Sequence, residues 1–341
     1  MISSRWAGTL GWVCGAAIVV CMVALFAGGA LAAPEGTGKD TPASQPASRP
    51  AGEQSKISPL QAAILGVVEG LTEYLPVSST GHLILASHAM GLSHFTDQQG
   101  LMGPKLEKAP AIDAFEIIIQ FGAILAVAGL YRRQVGQMCL GVVGRSKDGL
   151  RLLMLLVVAT LPATVVGLRY HKAIKENLFG PMPVCYALIM GGILMIVVEY
   201  FWRRRKNPPA SGTVYQVMFW QALAIGVAQV LSLWPGTSRS MVTILAGLIV
   251  GLDMVAAAEF SFLLALPVLT GATLVELAKG WRELFQSAGP VGLVIGLVVS
   301  AVVAALAIRG FVRWLTHHGM MPFGVYRILF GAAIFVYFMM A

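Results

Sequence analysis

The sequence predicts an all-α polytopic membrane protein, an inverted-topology repeat of two re-entrant helical hairpins plus six transmembrane helices. Three observations predict it. Of 341 residues, 57% are hydrophobic and only 12% are charged, and the mean hydropathy is +0.76, too apolar for a soluble domain of this length. Six segments have the length and apolarity to cross a hydrocarbon core of roughly 30 Å: 111–131, 149–170, 182–202, 255–278, 289–310 and 321–340. Two further segments, 57–92 and 214–252, are apolar at their flanks, polar and proline-containing in the middle, and similar to each other. The net charge of +8 does not point to nucleic acid. The basic residues cluster between apolar segments, as at Arg203, Arg204, Arg205 and Lys206, and form no stripe among aromatics.

Ahead of the membrane part, residues 1–33 carry Arg5, an apolar run through Phe26 and then Ala30-Leu31-Ala32. This is the pattern of a secretory signal peptide cleaved after Ala32, or of an uncleaved N-terminal anchor helix; either delivers residue 34 to the outer side. Residues 34–56 are Pro, Ala, Ser, Gly and Gln with few charges and no apolar periodicity, so a disordered linker is expected. The membrane domain is 57–341, with repeat 1 at 57–202 and repeat 2 at 214–341. Cys14, Cys21, Cys139 and Cys185 are scattered and have no metal-binding or disulfide spacing. His317 and His318 read as an interfacial pair; only His82 sits among reactive side chains.

Each hairpin reads as a helix, a break and a second helix. The second arm of the first, about Leu83 to Leu92, rises only about 15 Å at 1.5 Å per residue, so it reaches mid-bilayer. Irregular backbone at that depth is tolerated only inside protein or beside a wet cavity, which marks both breaks as a site. Gln61 aligns with Gln221, Gly66 with Gly226, Glu69 with Gln229, Thr72 with Ser232 and Tyr74 with Trp234, an offset of 160. A one-residue deletion then pairs Pro76 with Pro235 and Ser79 with Ser238. Three spans follow each hairpin, and an odd number of crossings makes the second unit enter from the opposite side. Arg132, Arg133, Arg145, Lys147, Arg151, Arg203 to Lys206, Arg309 and Arg313 fall on one side. They outnumber Lys105, Lys108, Arg169, Lys172, Lys175, Lys279 and Arg282 on the other. The positive-inside rule makes the first side cytoplasmic and opens the first hairpin outward.

The breaks carry the chemistry. Glu69 and Glu73, one turn apart, present two carboxylates to one side, suited to acid–base work, to joint coordination of a hard divalent cation, or to structural hydrogen bonding. Ser78, Ser79 and Thr80 offer hydroxyls, with His82 three residues past Ser79. A nucleophile with its base is one reading; capping of the following helix is the other, favoured for Ser78 and Thr80. Arg239 is an arginine inside an apolar hairpin with no acid nearby in sequence. It needs an anion, either phosphate oxygens gripped bidentately or an ion pair with Glu69 or Glu73. Gly236, Ser238, Ser240 and Thr243 add hydroxyls and backbone N–H groups at a helix start, an anion cradle. Glu116, Gln120, Glu199, Glu259 and Glu276 carry weaker signals, those near span ends reading as interfacial, and Gly191-Gly192 reads as a helix-packing surface.

Glu69-Gly-Leu-Thr-Glu73-Tyr-Leu-Pro-Val-Ser-Ser-Thr-Gly-His82 and Pro235-Gly-Thr-Ser-Arg-Ser-Met-Val-Thr243 closely resemble the two signatures of the undecaprenyl-diphosphatase family, the BacA type of bacitracin resistance. The resemblance runs from about Ile57 to the C-terminus; the leader and linker depart from the usual member. It implies hydrolysis of undecaprenyl diphosphate to the monophosphate carrier of cell-wall synthesis, in the cell membrane, with a divalent cation, Mg²⁺ or Ca²⁺. It also implies that Glu69, Glu73, Ser79, His82 and Arg239 match the catalytic positions, in a site open to the outer face. Inverted repeats with broken helices also build transporters, so a lipid-phosphate flippase or anion carrier is the competing class. Oligomeric state is not fixed by the sequence; a homodimer is compatible with it.

Overall fold

The computed structural model describes residues 57–100, 103–108, 110–205 and 212–340; the expected leader and linker lie outside the described residues. The chain begins with α1 (Pro59–Thr72), started by Ser58, whose hydroxyl and backbone trade hydrogen bonds with Gln61, and by Pro59 in the first turn. A break over 73–78 leads into α2 (Ser79–Ala89). Two antiparallel strands follow, β1 (Ser93–Gly100) and β2 (Gly103–Lys108), with Ser93 opposite Lys108 and Phe95 opposite Leu106. This short pair is a local addition to the expected helical architecture. Its polar sequence has no apolar alternation to announce strands, and pairing satisfies backbone groups that no helix covers.

The rest is helical: α3 (Pro110–Leu130), α4 (Arg132–Val142), α5 (Lys147–Leu178), α6 (Pro181–Arg203), a short 3₁₀ turn, α7 (Phe219–Gln229), a second 3₁₀ turn over Val230–Leu233, α8 (Arg239–Ile249), α9 (Met254–Leu315) and α10 (Met321–Met340). Helical backbone runs through all of α9, yet the rings of Phe262 and Phe311 lie 6.2 Å apart. A straight helix would separate them by about 70 Å. The element is therefore two arms folded on each other, Met254–Leu274 and Ala288–Leu315. With these arms, six helical segments among the described residues are long and apolar enough to cross a membrane: Ile112–Leu130, Lys147–Tyr170, Pro181–Arg203, Met254–Leu274, Ala288–Leu315 and Met321–Met340. They coincide with the six predicted spans. The chain is a multi-pass membrane protein.

The similarity of the two broken segments is structural as well as sequential. α1 and α7 begin, and α2 and α8 begin and end, 160 positions apart. Gln61 Nε2 donates to the Met90 carbonyl at the far end of α2, and Gln221 Nε2 donates to the Val250 carbonyl at the far end of α8. One glutamine thus ties the two ends of each hairpin together. Ser78 and Ser238, the two non-glycine residues with positive φ among those described, have φ of 74° and 70° and cap α2 and α8. This overturns the expected pairing of Ser79 with Ser238. The corresponding helices of the two hairpins start 160 positions apart, with no deletion between them, so Pro76 and Pro235 stand at different steps of the breaks, and Ser79 falls opposite Arg239.

Basic residues gather at one end. Arg151 donates to the carbonyls of Tyr215 and Val217 before α7, Arg205 to Ile249 at the end of α8, and Arg203 to His318 after α9. Glu199, read as an interfacial residue, is instead fully buried there. It accepts from Arg203 Nε at 2.7 Å and from the Met320 and Met321 amides at 2.6 Å each, because the first N–H groups of α10 need an acceptor. α6 and α10 meet where Gly192 and Gly324 face each other's carbonyls. A Cβ on either would come within 2.8 Å of the other's oxygen, so only glycine permits this contact.

Candidate active site

The site lies where the two breaks meet. Glu73, the residue closing α1, is buried because α9 and α3 pack over that helix. Ser79, first residue of α2, donates its hydroxyl to Glu73 Oε2 at 2.7 Å. Arg239, first residue of α8, approaches Glu73 Oε1 through Nη2 at 3.4 Å. Ser79 and Arg239, 160 positions apart in the chain, thus share one carboxylate. A strong guanidinium–carboxylate bond measures about 2.7–2.9 Å, so this pair is long.

The rest of the guanidinium is held without being neutralised. Nη1 donates to the Ser261 carbonyl at 2.9 Å, the group lies 5.8 Å from the centre of the Tyr74 ring, and buried Nε has no hydrogen-bond partner. Thr243 fixes the base of the same helix turn. Its hydroxyl lies 2.8 Å from the Arg239 carbonyl, to which it donates, and 2.6 Å from Ser261 Oγ. A buried arginine with a spare N–H and a stretched ion pair is organised for an anion that can displace or join Glu73.

The other residues singled out from sequence divide by position. Glu69 is buried one turn before Glu73 on the same helix. Ser78 and Ser238 accept the amide N–H groups of Gly81 and Met241 at 3.4 Å, so both act as caps. Thr80 is half-buried in the first turn of α2. Ser240 donates to the Leu75 carbonyl at 3.0 Å and sits 3.0 Å from Ser238 Oγ, lacing the second break to the first. Gly236, at φ 91°, has its α-carbon against the Val184 backbone, where an added Cβ would come within 2.8 Å of the carbonyl. It is a turn that no side chain could make.

His82 is not brought to Ser79. Nδ1 lies 2.7 Å from the Ser78 carbonyl, which can only accept, so that nitrogen carries the proton. In the neutral ring Nε2 then accepts from the Tyr326 hydroxyl at 2.6 Å, and the imidazole stacks 4.2 Å from Phe330. Its neighbour in α10, Arg327, went unnoticed in the sequence although it carries the signal that exposed Arg239, a lone arginine well inside an apolar segment. It is completely buried. Nη1 donates to the Pro76 carbonyl at 3.2 Å, and Nη2 donates to the carbonyls of Gly236 and Ala187 at 2.9 and 3.0 Å.

Among the described residues no group of three or more His, Cys, Asp and Glu side chains is placed to hold a metal by itself. Two carboxylates one helical turn apart still fit a hard cation that takes the rest of its oxygen ligands from a substrate, as Mg²⁺ commonly does with phosphates.

Fold and site define a polytopic helical membrane protein with a buried arginine–carboxylate–serine centre assembled from two related broken hairpins. The sequence profile of the family described as bacitracin resistance protein BacA matches residues 62–333, a stretch containing every residue of that centre. The chain belongs to this family. It is 50% identical over 274 residues to an undecaprenyl-diphosphatase of Sorangium cellulosum, covering 80% of this chain and 84% of that one. It is 43% identical to undecaprenyl-diphosphatase 2 of Rhodospirillum rubrum, covering 81% and 93% of the two chains, and 42% identical to undecaprenyl-diphosphatase 1 of Burkholderia lata, covering 80% and 92%.

Proposed function

We propose that the protein hydrolyses undecaprenyl diphosphate to undecaprenyl phosphate and inorganic phosphate, returning the lipid carrier to cell-wall synthesis and conferring bacitracin resistance. The observation that carries this reading is the convergence of Arg239 and Ser79 on Glu73, with Arg239 Nε unpartnered. The diphosphate takes the place of Glu73 at the guanidinium. Glu73 is then left with Ser79 and accepts the hydroxyl proton as Oγ attacks the terminal phosphorus. The bond to the bridging oxygen breaks and undecaprenyl phosphate leaves. Water hydrolyses the phosphoserine, releasing inorganic phosphate and restoring the hydroxyl. Arg239 stabilises the charge that develops on the phosphoryl oxygens. Glu69 and Glu73 would hold Mg²⁺ or Ca²⁺ together with diphosphate oxygens; when bound, the ion withdraws charge from the phosphoryl group. His82, tied to Tyr326, keeps α2 and therefore Ser79 in place.

In the membrane the two hairpins are re-entrant and the repeat is inverted. α1 and α2, of 14 and 11 residues, rise about 21 and 17 Å, short of the roughly 30 Å core. The glutamine tie between the two ends of each hairpin, the facing glycines of α6 and α10, and the gathering of Arg151, Arg203 and Arg205 at the base of the second hairpin support this arrangement. The basic end is cytoplasmic in the cell inner membrane, and the first hairpin opens to the periplasmic side.

The full-length protein in detergent, given a prenyl diphosphate, is expected to release phosphate and to leave a trappable phosphoserine on the peptide containing Ser79. A carrier without hydrolytic activity would release none, and that outcome would overturn the reading. Oxygen from labelled water in the phosphate without any phosphoserine would move the attack from Ser79 to water.

A further inference from the structure

Arg327 makes contacts that the proposed chemistry does not use. It lies on α10, yet its side chain reaches both breaks, donating to Pro76 and to Gly236. These two carbonyls are 160 positions apart, the spacing that separates the helix starts of the two hairpins. One guanidinium therefore grips the same step of both turns, at 3.2 and 2.9 Å. The third bond, to Ala187, fixes the guanidinium to α6. Pro76 stands three residues before Ser79, and Gly236 three before Arg239.

The chemistry of these carbonyls explains why an arginine is needed. Residues in a turn at membrane depth have carbonyls without helical partners, and each orphan costs several kcal/mol in an apolar setting. A lysine could reach one or two acceptors from a single nitrogen. The planar fork reaches three in fixed directions and therefore sets a distance between them. Among the described residues its bonds to main-chain oxygens leave the positive charge without a paired acid, and the residue is fully buried, so it is not a solvent-side anchor.

We infer that Arg327 is a positioning residue that clamps the two breaks at the separation at which Ser79 and Arg239 address one phosphoryl group. The inference rests on the hydrolytic reading for its kinetic consequence but not for its structural one. Both breaks can move only together while the clamp holds. Loss of the fork lets the serine–carboxylate arm and the arginine arm drift independently, which disturbs attack more than it disturbs lipid binding. A misplacement of about 1 Å costs on the order of 100-fold in rate.

The test uses the full chain in detergent, with Arg327→Met and, as a variant that deletes no polar group, Gly191→Ala. A Cβ at Gly191 would come within 3.0 Å of the Arg327 guanidinium carbon and push it from its seat. Arg327→Met is expected to lower kcat for a prenyl diphosphate about 100-fold with KM changed less than about threefold, and Gly191→Ala to lower kcat about 10-fold. Without substrate, hydrogen exchange in the peptides covering 74–82 and 234–241 should accelerate together in both variants, while exchange in α3 and α5 stays as in the parent protein. Unchanged kcat, a loss expressed only in KM, or acceleration confined to one break would overturn the clamp. If Arg327→Met does not yield folded protein, Gly191→Ala decides by the same criteria. If the parent protein releases no phosphate, the hydrolytic reading falls, while the exchange measurement still decides whether Arg327 couples the breaks.

Discussion

The first and second breaks share one backbone and divide the chemistry between them. Both are entered from an apolar helix whose glutamine ties down the far end of the hairpin, and both leave through a serine cap with positive φ. At equivalent side chains they differ. Glu69 has Gln229 as its mate, Glu73 has Leu233 and Ser79 has Arg239. Two identical breaks would confront carboxylate with carboxylate, or guanidinium with guanidinium, in a medium that screens neither. Opposite specialisation on a common turn lets one half supply the serine and carboxylates and the other the anion grip. The lesson is that the duplicated geometry is the conserved part of the design and charge is its variable part.

The largest effects should come from removing the groups that the two halves contribute to each other. Arg239→Ala and Glu73→Gln are each expected to reduce phosphate release by about 100- to 1000-fold, the loss typical of removing one group that stabilises developing charge. A release assay on variants that elute as the parent protein checks this. Retained activity in either would break the division of labour. Within the first half, Ser79 and Glu73 work as a donor–acceptor unit at 2.7 Å, so their losses should not add. Ser79→Ala with Glu73→Gln should be within about threefold of the worse single variant; multiplicative losses would show that serine and carboxylate act separately. A smaller effect is expected at Glu69, which the second half replaces with an amide. Chelation should abolish release and Mg²⁺ or Ca²⁺ restore it, and Glu69→Gln should raise the cation concentration for half-maximal activity about 10-fold or more. An unchanged cation requirement would leave Glu69 without a part in the cation site.

Much of this was legible in the sequence, and the misses have physical causes. The six spans were readable because a bilayer demands long apolar runs, and the motifs were readable because charged residues at membrane depth stand out. The convergence of Arg239 with Glu73 followed from charge complementarity. The register of the second break did not, because proline is the residue that stands out in sequence whereas the serine cap and the helix starts are what the two turns have in common. Arg327 carries the same signal as Arg239, a lone arginine in an apolar span, but its role is not legible because its partners are carbonyls, and main-chain acceptors leave no trace in side-chain pattern. Glu199 was misread for a related reason: it serves the amides that start α10, which are far away in sequence. His82 showed its chemical potential but not its partner, since Tyr326 lies 244 residues away.

The smallest expected effect separates the two caps. At both Ser78 and Ser238, glycine would relieve the positive-φ strain of a side-chain-bearing residue while losing one capping hydrogen bond of 3.4 Å. Serine-to-glycine exchange at an N-cap costs only a few tenths of a kcal/mol, and relief of the left-handed backbone offsets it. Ser78→Gly should therefore leave thermal stability in detergent nearly unchanged. Ser238 has a further duty, because its hydroxyl lies 3.0 Å from Ser240 Oγ, and Ser240 in turn donates to Leu75 across the site. Ser238→Gly removes one link of that chain, worth about 1 kcal/mol, and should lower the melting temperature by a few degrees where Ser78→Gly does not. Equal shifts would mean that the lacing between the halves contributes nothing beyond the cap, and that the breaks differ only in the charges they carry.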